Sequence, residues 1–404
     1  MPDPIGSIFA VFLRLGLTSF GGPIAHLGYY RTEFVERRRW LSEAAYADLV
    51  ALCQLLPGPA SSQVGFAVGL SRGGLAGGLA AWLGFTLPSA VAMVLFARGA
   101  AAMTGPLSAG MFHGLQVVAV AVVAQAVWSM ARTLCPDRTR ATIAVFATLI
   151  VIAAPTAIGQ IVAVLMGAVA GAWLCREAPA VAATERLSVP VPRALAVAAL
   201  ALFALLLIGL PIAAAVLPVP AVAVADAFYR AGALVFGGGH VVLPLLHASV
   251  VEPGWVSEAA FLSGYGAAQA VPGPLFTFAA YLGAIMDAPS GDAPSGHAPS
   301  GWPGAALCLG AIFLPGLLLV LGVLPFWVSL GRAALMPAGL RGVNAAVVGV
   351  LLSALYDPVW TKGIGGPADF ALALVVFALL VIWKAPSWGV VLVSAAGGAA
   401  VFGR

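Results

Sequence analysis

Gln54-Leu55-Leu56-Pro57-Gly58-Pro59 recurs 215 residues later as Gln269-Ala270-Val271-Pro272-Gly273-Pro274. Both copies lie within apolar stretches of helical length. Proline lacks a backbone N–H and clashes with the preceding helical turn, and glycine adds conformational freedom, so each Pro-Gly-Pro must interrupt a helix. Two interruptions in the same sequence context indicate that the chain is built from two related halves.

The residues around these breaks support a duplication. Phe20-Gly21-Gly22 recurs as Phe236-Gly237-Gly238 at an offset of 216 residues, and Trp40-Leu41-Ser42-Glu43 recurs as Trp255-Val256-Ser257-Glu258 at an offset of 215. Matches that keep their order at a nearly constant offset are hard to attribute to chance. We therefore divide the chain into a first transmembrane repeat at 1–175, a linker with a connecting helix at 176–220, and a second repeat at 221–404.

The offset grows later in the chain, to 227 residues between Leu87-Pro88 and Leu314-Pro315. The additional residues form the run DAPSG-DAPSG-HAPSG at Asp287 to Gly301. This run has no large apolar side chain to bury, so we predict a flexible aqueous loop.

Composition decides the solvent of this fold. Hydrophobic residues make up 62% of the 404 residues and charged residues only 8%, whereas soluble domains carry about 25% charged residues. A helix that crosses a bilayer needs roughly 20 apolar residues. Apolar segments of helical length lie at about 4–20, 42–56, 60–71, 74–97, 107–131, 141–155, 157–175, 194–217, 221–236, 257–271, 275–286, 304–325, 333–356, 369–384 and 386–403. We predict an all-α polytopic membrane protein of the plasma (inner) membrane.

Charge in equivalent loops indicates how the halves are oriented. The loop at 29–39 holds four arginines, whereas its counterpart at 240–255 holds no Lys or Arg. Positive loops stay on the cytoplasmic side, so the two loops should lie on opposite sides of the membrane. We predict two inverted homologous repeats, with discontinuous or re-entrant helices at the Pro-Gly-Pro breaks. The helix at 194–217 has no counterpart and could supply the crossing that inverts the second half.

The helix breaks are the first candidates for a binding site. Irregular backbone at membrane depth is tolerated where it is buried in protein or lines a watery cavity, and paired breaks in two halves point to a transporter's midplane site. A half-helix that starts after a break presents free N–H groups, which suit an anion. A simple kink, or close helix packing at the glycines, is the alternative. The candidate substrate-binding residues at the breaks are Gly21, Gly22, Gly237, Gly238, Pro57, Gly58, Pro59, Pro272, Gly273 and Pro274.

Polar side chains in apolar segments are the second group of candidates. Arg14 and Arg230 occupy equivalent positions, and a guanidinium fork suits a tetrahedral oxyanion, although both side chains could instead snorkel to an interface. Glutamine amides could donate to a substrate or bridge helices. The candidates of this kind are Gln54, Gln63 and Gln269. Candidates for proton coupling, each with a structural alternative, are Glu33, His26 and His240.

Motifs of other protein classes are absent from the sequence. It contains no Gly-x-x-x-x-Gly-Lys-Ser/Thr loop, no His-Glu-x-x-His, and no metal-ligand spacing among its four cysteines. We therefore expect no catalytic residues, metal or cofactor. A membrane-embedded enzyme such as a reductase remains the alternative from another class, and it would need a titratable dyad or a redox site.

As a set, the motifs resemble the chromate ion transporter family in its long, two-domain form. In the first half these are 20–23, 33–41 and 53–63, and in the second half 236–244 and 264–274. The resemblance covers nearly the whole chain. It implies export of chromate from the cytoplasm, driven by membrane potential, a proton gradient or both. Some family members handle sulfate, so a sulfate or related oxyanion carrier is the alternative.

The resemblance also implies the partners of the chain. We expect a small inorganic oxyanion, chromate or sulfate, together with the lipid bilayer. No nucleic acid is expected, and the fold is compatible with a homodimer.

Overall fold

The computed structural model describes residues 3–175, 189, 191–236, 238–286, 299–327 and 335–403. Over these residues the chain forms helices and no strands, as the sequence predicts. Gly237, residues 176–188 of the predicted linker, and residues 287–298 of the predicted DAPSG loop lie outside the described residues.

The first half contains seven α-helices. They are α1 (Ile5–Thr18), α2 (Gly22–Arg31), α3 (Glu43–Leu55), α4 (Ala60–Ala102), α5 (Pro106–Leu134), α6 (Arg138–Ala153) and α7 (Ala157–Leu174). A π-helix, Thr32–Arg37, extends α2. The segment at 29–39, predicted to be a basic loop, is therefore mostly helical. The hydropathy pattern did not reveal this helix because the segment is rich in aromatic and charged residues.

Helix α4 is a hairpin rather than a single rod. Its dihedral angles leave the helical region at Gly73 and Gly74. A side-chain carbon on Gly69 would meet the Cβ of Ala81 at 2.7 Å, an approach that twelve residues of straight helix, about 18 Å long, would forbid. This turn confirms the prediction of separate segments at 60–71 and 74–97.

The described part of the second half begins with the helix at the predicted connecting position and also contains a short helix, Thr361–Gly363. Its helices are α8 (Arg193–Val216), α9 (Pro220–Leu234), α10 (Val242–Leu246), α11 (Glu258–Ala268), α12 (Phe278–Ile285), α13 (Gly301–Val323), α14 (Leu335–Ala354), α15 (Pro367–Val381) and α16 (Ser387–Phe402). Ser42 and Ser257 cap α3 and α11 in the same way, each hydroxyl accepting a backbone N–H three residues ahead.

The two halves interlock through their last hairpins. Helix α5 packs against α15 and α16, and α14 packs against α6 and α7. Small residues permit these crossings: the Ser394 hydroxyl donates to the Gly114 carbonyl at 2.8 Å, and a side-chain carbon on Gly171 would lie 2.6 Å from the backbone of Gly342. Close backbone approach is how membrane helices associate without a hydrophobic drive.

Within the described residues, five helical segments are long and apolar enough to cross a bilayer: Ala60–Ala102, Pro106–Leu134, Arg193–Val216, Gly301–Phe326 and Pro337–Gly363. Helix α8 is the most apolar of them, and only 11% of its most apolar stretch is buried in protein. Such a surface needs lipid as its solvent. The chain is therefore a multi-pass membrane protein.

Candidate functional site

The helix breaks of the two halves are joined reciprocally. The N–H of Gly58 donates to the carbonyl of Val235 at 2.7 Å, and the N–H of Gly273 donates to the carbonyl of Ser19 at 2.9 Å. Val235 and Ser19 directly precede the two Phe-Gly-Gly breaks. Each Pro-Gly-Pro break of one half is thus tied to the Phe-Gly-Gly break of the other, and all four meet in one region.

We call the hydrogen bonds Gly58–Val235 and Gly273–Ser19 the two joints, and both require glycine at the donor position. Gly58 and Gly273 have φ angles of 121° and 103°, a region that L side chains rarely adopt. A Cβ on Gly58 would lie 3.2 Å from the Cα of Gly316, and one on Gly273 would lie 2.8 Å from the Ser89 hydroxyl. Gly316 and Ser89 follow the interior prolines of α13 and α4. Each break therefore rests on a proline-bearing helix of the opposite half.

Two buried side chains satisfy the backbone at the first-half breaks. His26 places Nε2 3.2 Å from the Ser19 carbonyl and Nδ1 3.3 Å from the Ser61 hydroxyl. Because a carbonyl can only accept, Nε2 carries the proton and Nδ1 accepts from Ser61. Gln63 donates from Nε2 to the Pro57 carbonyl at 2.8 Å. His26 and Gln63 therefore have a structural role, since they hydrogen-bond the backbone at the breaks.

A cavity of about 370 Å³ lies against the breaks. Its wall combines both halves: the start of α2, the middle of α5, the break before α12, and the turn between α15 and α16. The polar or backbone-exposing residues that line it include Gly21, Gly22, Gln125, His240, Gln269 and Lys384.

The electrostatics of this cavity favour an anion. The first residues of three helical segments line it: Gly22 of α2, Leu275 of the 3-10 turn that leads into α12, and Ser387 of α16. The N-terminal ends of helices carry partial positive charge and free N–H groups. The described lining contains no Asp or Glu, and Lys384 is its one Lys or Arg.

The structure brings some of the sequence-predicted residues to this cavity and leaves others apart. Gly21, Gly22, Gln269, Gly273 and His240 line it, and the His240 Nδ1 lies 2.7 Å from the Tyr265 hydroxyl. Residues that build the joined breaks without being part of the lining are Pro57, Gly58, Pro59, Pro272, Pro274 and Gly238. Gln54 is exposed and lies outside the lining, although it is the sequence equivalent of Gln269.

The two predicted arginines do not line the cavity, and each is paired with a buried carboxylate. Arg14 donates to Glu33 at 2.9 Å. Arg230 donates from Nε and Nη2 to Asp226 at 2.8 and 2.5 Å. This geometry favours an ion-pairing role for both arginines over contact with a substrate. Sequence reasoning missed Asp226, which an Asp-to-Arg spacing of four residues in a helix could have revealed.

Glu33 lies in a cluster of arginines at the polar end of the first half. Arg38 donates to it at 2.6 Å and Arg37 at 3.2 Å, in addition to Arg14. Burial alone would raise the pKa of Glu33, but the hydrogen bond from Arg38 and the charges of the three arginines outweigh it, so the pKa lies below its ordinary value. A carboxylate held ionised in this way is poorly suited to carry a coupled proton.

Sequence reasoning also missed Lys384 and Gln125. Lys384 lies in the turn between α15 and α16, and Gln125 lies in the middle of α5. Neither residue belongs to a repeated motif. The one available signal was a lysine two residues before Pro386, in a short interruption between two apolar segments.

Membrane-spanning helices, interrupted where two halves meet around a polar cavity, define a membrane transport protein. The chain belongs to the chromate transporter family, whose model matches residues 6–172 and 222–401 and thus both halves. Members of this family are transport proteins, so the chain is a transporter and not an enzyme.

Two relatives match along most of their length. The chain is 28% identical to the chromate transport protein of Pseudomonas aeruginosa over 98% of this chain and 92% of that protein. It is 27% identical to the chromate transport protein of Cupriavidus metallidurans over 95% of this chain and 90% of that protein. No solved structure matches the chain.

Proposed function

We propose that this protein exports chromate from the cytoplasm across the plasma (inner) membrane, and that the cavity at the joined breaks binds the ion. The observation that carries the proposal is the lining, where three helix N-termini, Lys384 and amide donors converge without a carboxylate. Chromate is a tetrahedral dianion whose oxygens only accept hydrogen bonds. A wall of positive dipole ends and donors matches that chemistry.

We further propose that the two halves are inverted repeats with the basic end in the cytoplasm. Arg38 and Arg72 both lie over the Trp40 ring, at 5.2 and 5.3 Å, so the basic segment and the turn of α4 share one side. The chain returns to that side after α5, which ends near Arg132. Clustering of arginines on one side is the pattern of a cytoplasmic face.

The cavity lies nearer this basic end. Gln125 in its wall precedes Arg132 by seven residues of α5, which is about 10 Å along the helix. A chromate ion would thus reach the cavity from the cytoplasmic side, which is the side from which an exporter must load.

Membrane potential can drive this export. Moving one elementary charge across 100 mV is worth about 2.3 kcal/mol, so a dianion gains about 4.6 kcal/mol on leaving a negative interior. Each 1.4 kcal/mol corresponds to a factor of ten, so the potential supports a gradient of roughly three orders of magnitude. Exchange for protons is not required.

The test is uptake of labelled chromate into inside-out vesicles that contain the protein, with the potential and the pH gradient imposed separately. We expect uptake that follows a lumen-positive potential and persists when the pH gradient is collapsed. Uptake that needs only the pH gradient would overturn the driving force. Sulfate uptake without chromate uptake would make the protein a sulfate carrier, and release of reduced chromium would indicate an enzyme.

A further inference from the structure

Among the described residues that line the cavity at the joined breaks, Lys384 is the one with a charged side chain. It is the only Lys or Arg in the described lining, and the sequence has only two lysines. The other, Lys362, lines a separate cavity together with Glu252, Glu258 and Asp357. The two lysines therefore lie in opposite electrostatic surroundings, one free of carboxylates and one rich in them.

The backbone of Lys384 is fixed by the turn that ends α15. Its φ angle is 51°, which is unusual for a residue other than glycine. The turn is held by backbone hydrogen bonds, from Ala385 to Leu379 at 2.9 Å and from Trp383 to Ala378 at 3.2 Å. These hydrogen bonds form a left-handed cap at the end of α15 and hold Lys384 at the cavity wall.

Two side chains with hydrogen-bond donors, Lys384 and Gln269, line this wall. The exposed side chain of Lys384 has no ion pair or hydrogen bond among the described residues, in contrast to Arg14 and Arg230. Gln269 also lines the cavity, and its amide lies beside the Tyr265 hydroxyl, with Nε2 outside hydrogen-bond geometry to the described residues. A buried amide donor is costly to leave unmatched. An ion that accepts hydrogen bonds in the cavity would satisfy both groups.

We propose that Lys384 and Gln269 form the oxyanion subsite of this transporter. The ammonium pairs with the charge of a tetrahedral dianion, the Gln269 amide donates to one of its oxygens, and the N-termini of α2 and α16 stabilise the remaining charge. The subsite rests on the proposed transport of chromate. An ammonium with three rotatable donors can follow a tetrahedral ion in several orientations, which suits a site that must also release its substrate.

The transport test compares Lys384→Gln with Lys362→Gln, a matched change at the other lysine. We expect Lys384→Gln to raise the KM for chromate about tenfold or more, as loss of a charge-assisted hydrogen bond does, and Lys384→Arg to retain part of the uptake. Lys362→Gln should keep the wild-type KM. Equal KM values for the two glutamine variants, at equal amounts of folded protein, would overturn the subsite.

A binding test does not depend on transport. In the Lys362→Gln background Lys384 is the only lysine, so its acylation by an amine-reactive reagent can be followed by peptide mass spectrometry. Chromate and sulfate should each slow acylation, relative to chloride at equal ionic strength. Unchanged acylation in protein that still transports chromate would refute the subsite and leave the proposed function standing. Protection without any chromate transport would refute the function and leave an oxyanion subsite.

Discussion

The N–H of Gly58 donates to the carbonyl of Val235 at 2.7 Å, and this hydrogen bond joins a helix break in one half to a helix break in the other. The equivalent joint pairs Gly273 with Ser19. Each break is therefore bonded directly to the backbone of the opposite half. Some transporters move one half against the other around a fixed site. During such a movement we expect the hydrogen bonds at the two joints to be kept.

Gly58→Ala should disable the first joint. Alanine is strained at a φ angle of 121°, and its Cβ would lie 2.9 Å from the Gln63 amide that supports the break. We expect a loss of about 1–3 kcal/mol in stability and at least a tenfold loss of chromate uptake. Gly310→Ala is the matched control, since a Cβ there meets nothing within 4 Å. Similar thermal stability and uptake in the two variants would count against the joint.

Arg230 offers a test of ion pairing against substrate binding. Its partner Asp226 is only 6% exposed, whereas Arg230 is 41% exposed. Arg230→Ala should leave a buried carboxylate unpaired and destabilise the protein, by about 1–3 kcal/mol after allowance for the exposed side of the pair. The neutral pair Asp226→Asn with Arg230→Gln should recover both the folded yield and chromate uptake. A double variant that folds but fails to transport chromate would indicate that Arg230 contacts the substrate.

Local rules of the chain made the breaks predictable. Proline and glycine act on the backbone of their own helix, so Pro57 to Pro59 and Pro272 to Pro274 could be found without tertiary information. The separate segments before and after Gly73 could be found for the same reason.

The cavity could not be predicted in this way. Lys384 reaches it because the turn between α15 and α16 borders the same cavity as Gly21, which is far away in the sequence. Gln54 and Gln269 are equivalent in sequence yet differ in position, one exposed and one in the lining. Arg14 and Arg230 occupy equivalent positions in the two halves. Each forms an ion pair with a carboxylate that has no equivalent in the other half. The duplication therefore predicts where the two halves have similar backbone, but it does not predict which contacts the equivalent side chains make.

Glu33 should make the stability of the first half depend on pH. Because the pKa of Glu33 is lower in the folded protein than in an unfolded chain, its stabilisation is fully present above the ordinary Glu pKa of about 4.3 and is lost as the pH falls below it. Glu33→Gln should be less stable at pH 7 and should lose less stability on acidification to pH 3. Glu36→Gln is the control, since exposed Glu36 pairs only with Arg31 on the surface. Parallel pH curves for wild type and Glu33→Gln would contradict the arginine cluster.

The inverted arrangement can be tested with single cysteines at two exposed positions. Glu36→Cys lies in the basic segment and Ser300→Cys directly precedes α13. In a chain with its four native cysteines replaced by serine, a membrane-impermeant maleimide should label residue 36 only from the cytoplasm and residue 300 only from outside. Labelling of both from one side would mean that the repeats are parallel.

Separate expression of the two halves tests how far each depends on the other. Helices α7 and α16 pack against α14 and α5 of the opposite half, so each half alone would expose faces of small residues shaped for a partner. We expect fragments 1–192 and 193–404 to be degraded when expressed singly, and to copurify and transport chromate when expressed together.

Gly342→Val in the second fragment should abolish this copurification. Gly342 lies against the backbone of Gly171, so three added carbons have no space and must force α14 away from α7. Gly310→Val is the matched control, because a side-chain carbon at Gly310 meets nothing within 4 Å. Copurification that survives Gly342→Val would show that the α7–α14 crossing is not needed to hold the halves together. The joints at Gly58 and Gly273 would then be the next contacts to test.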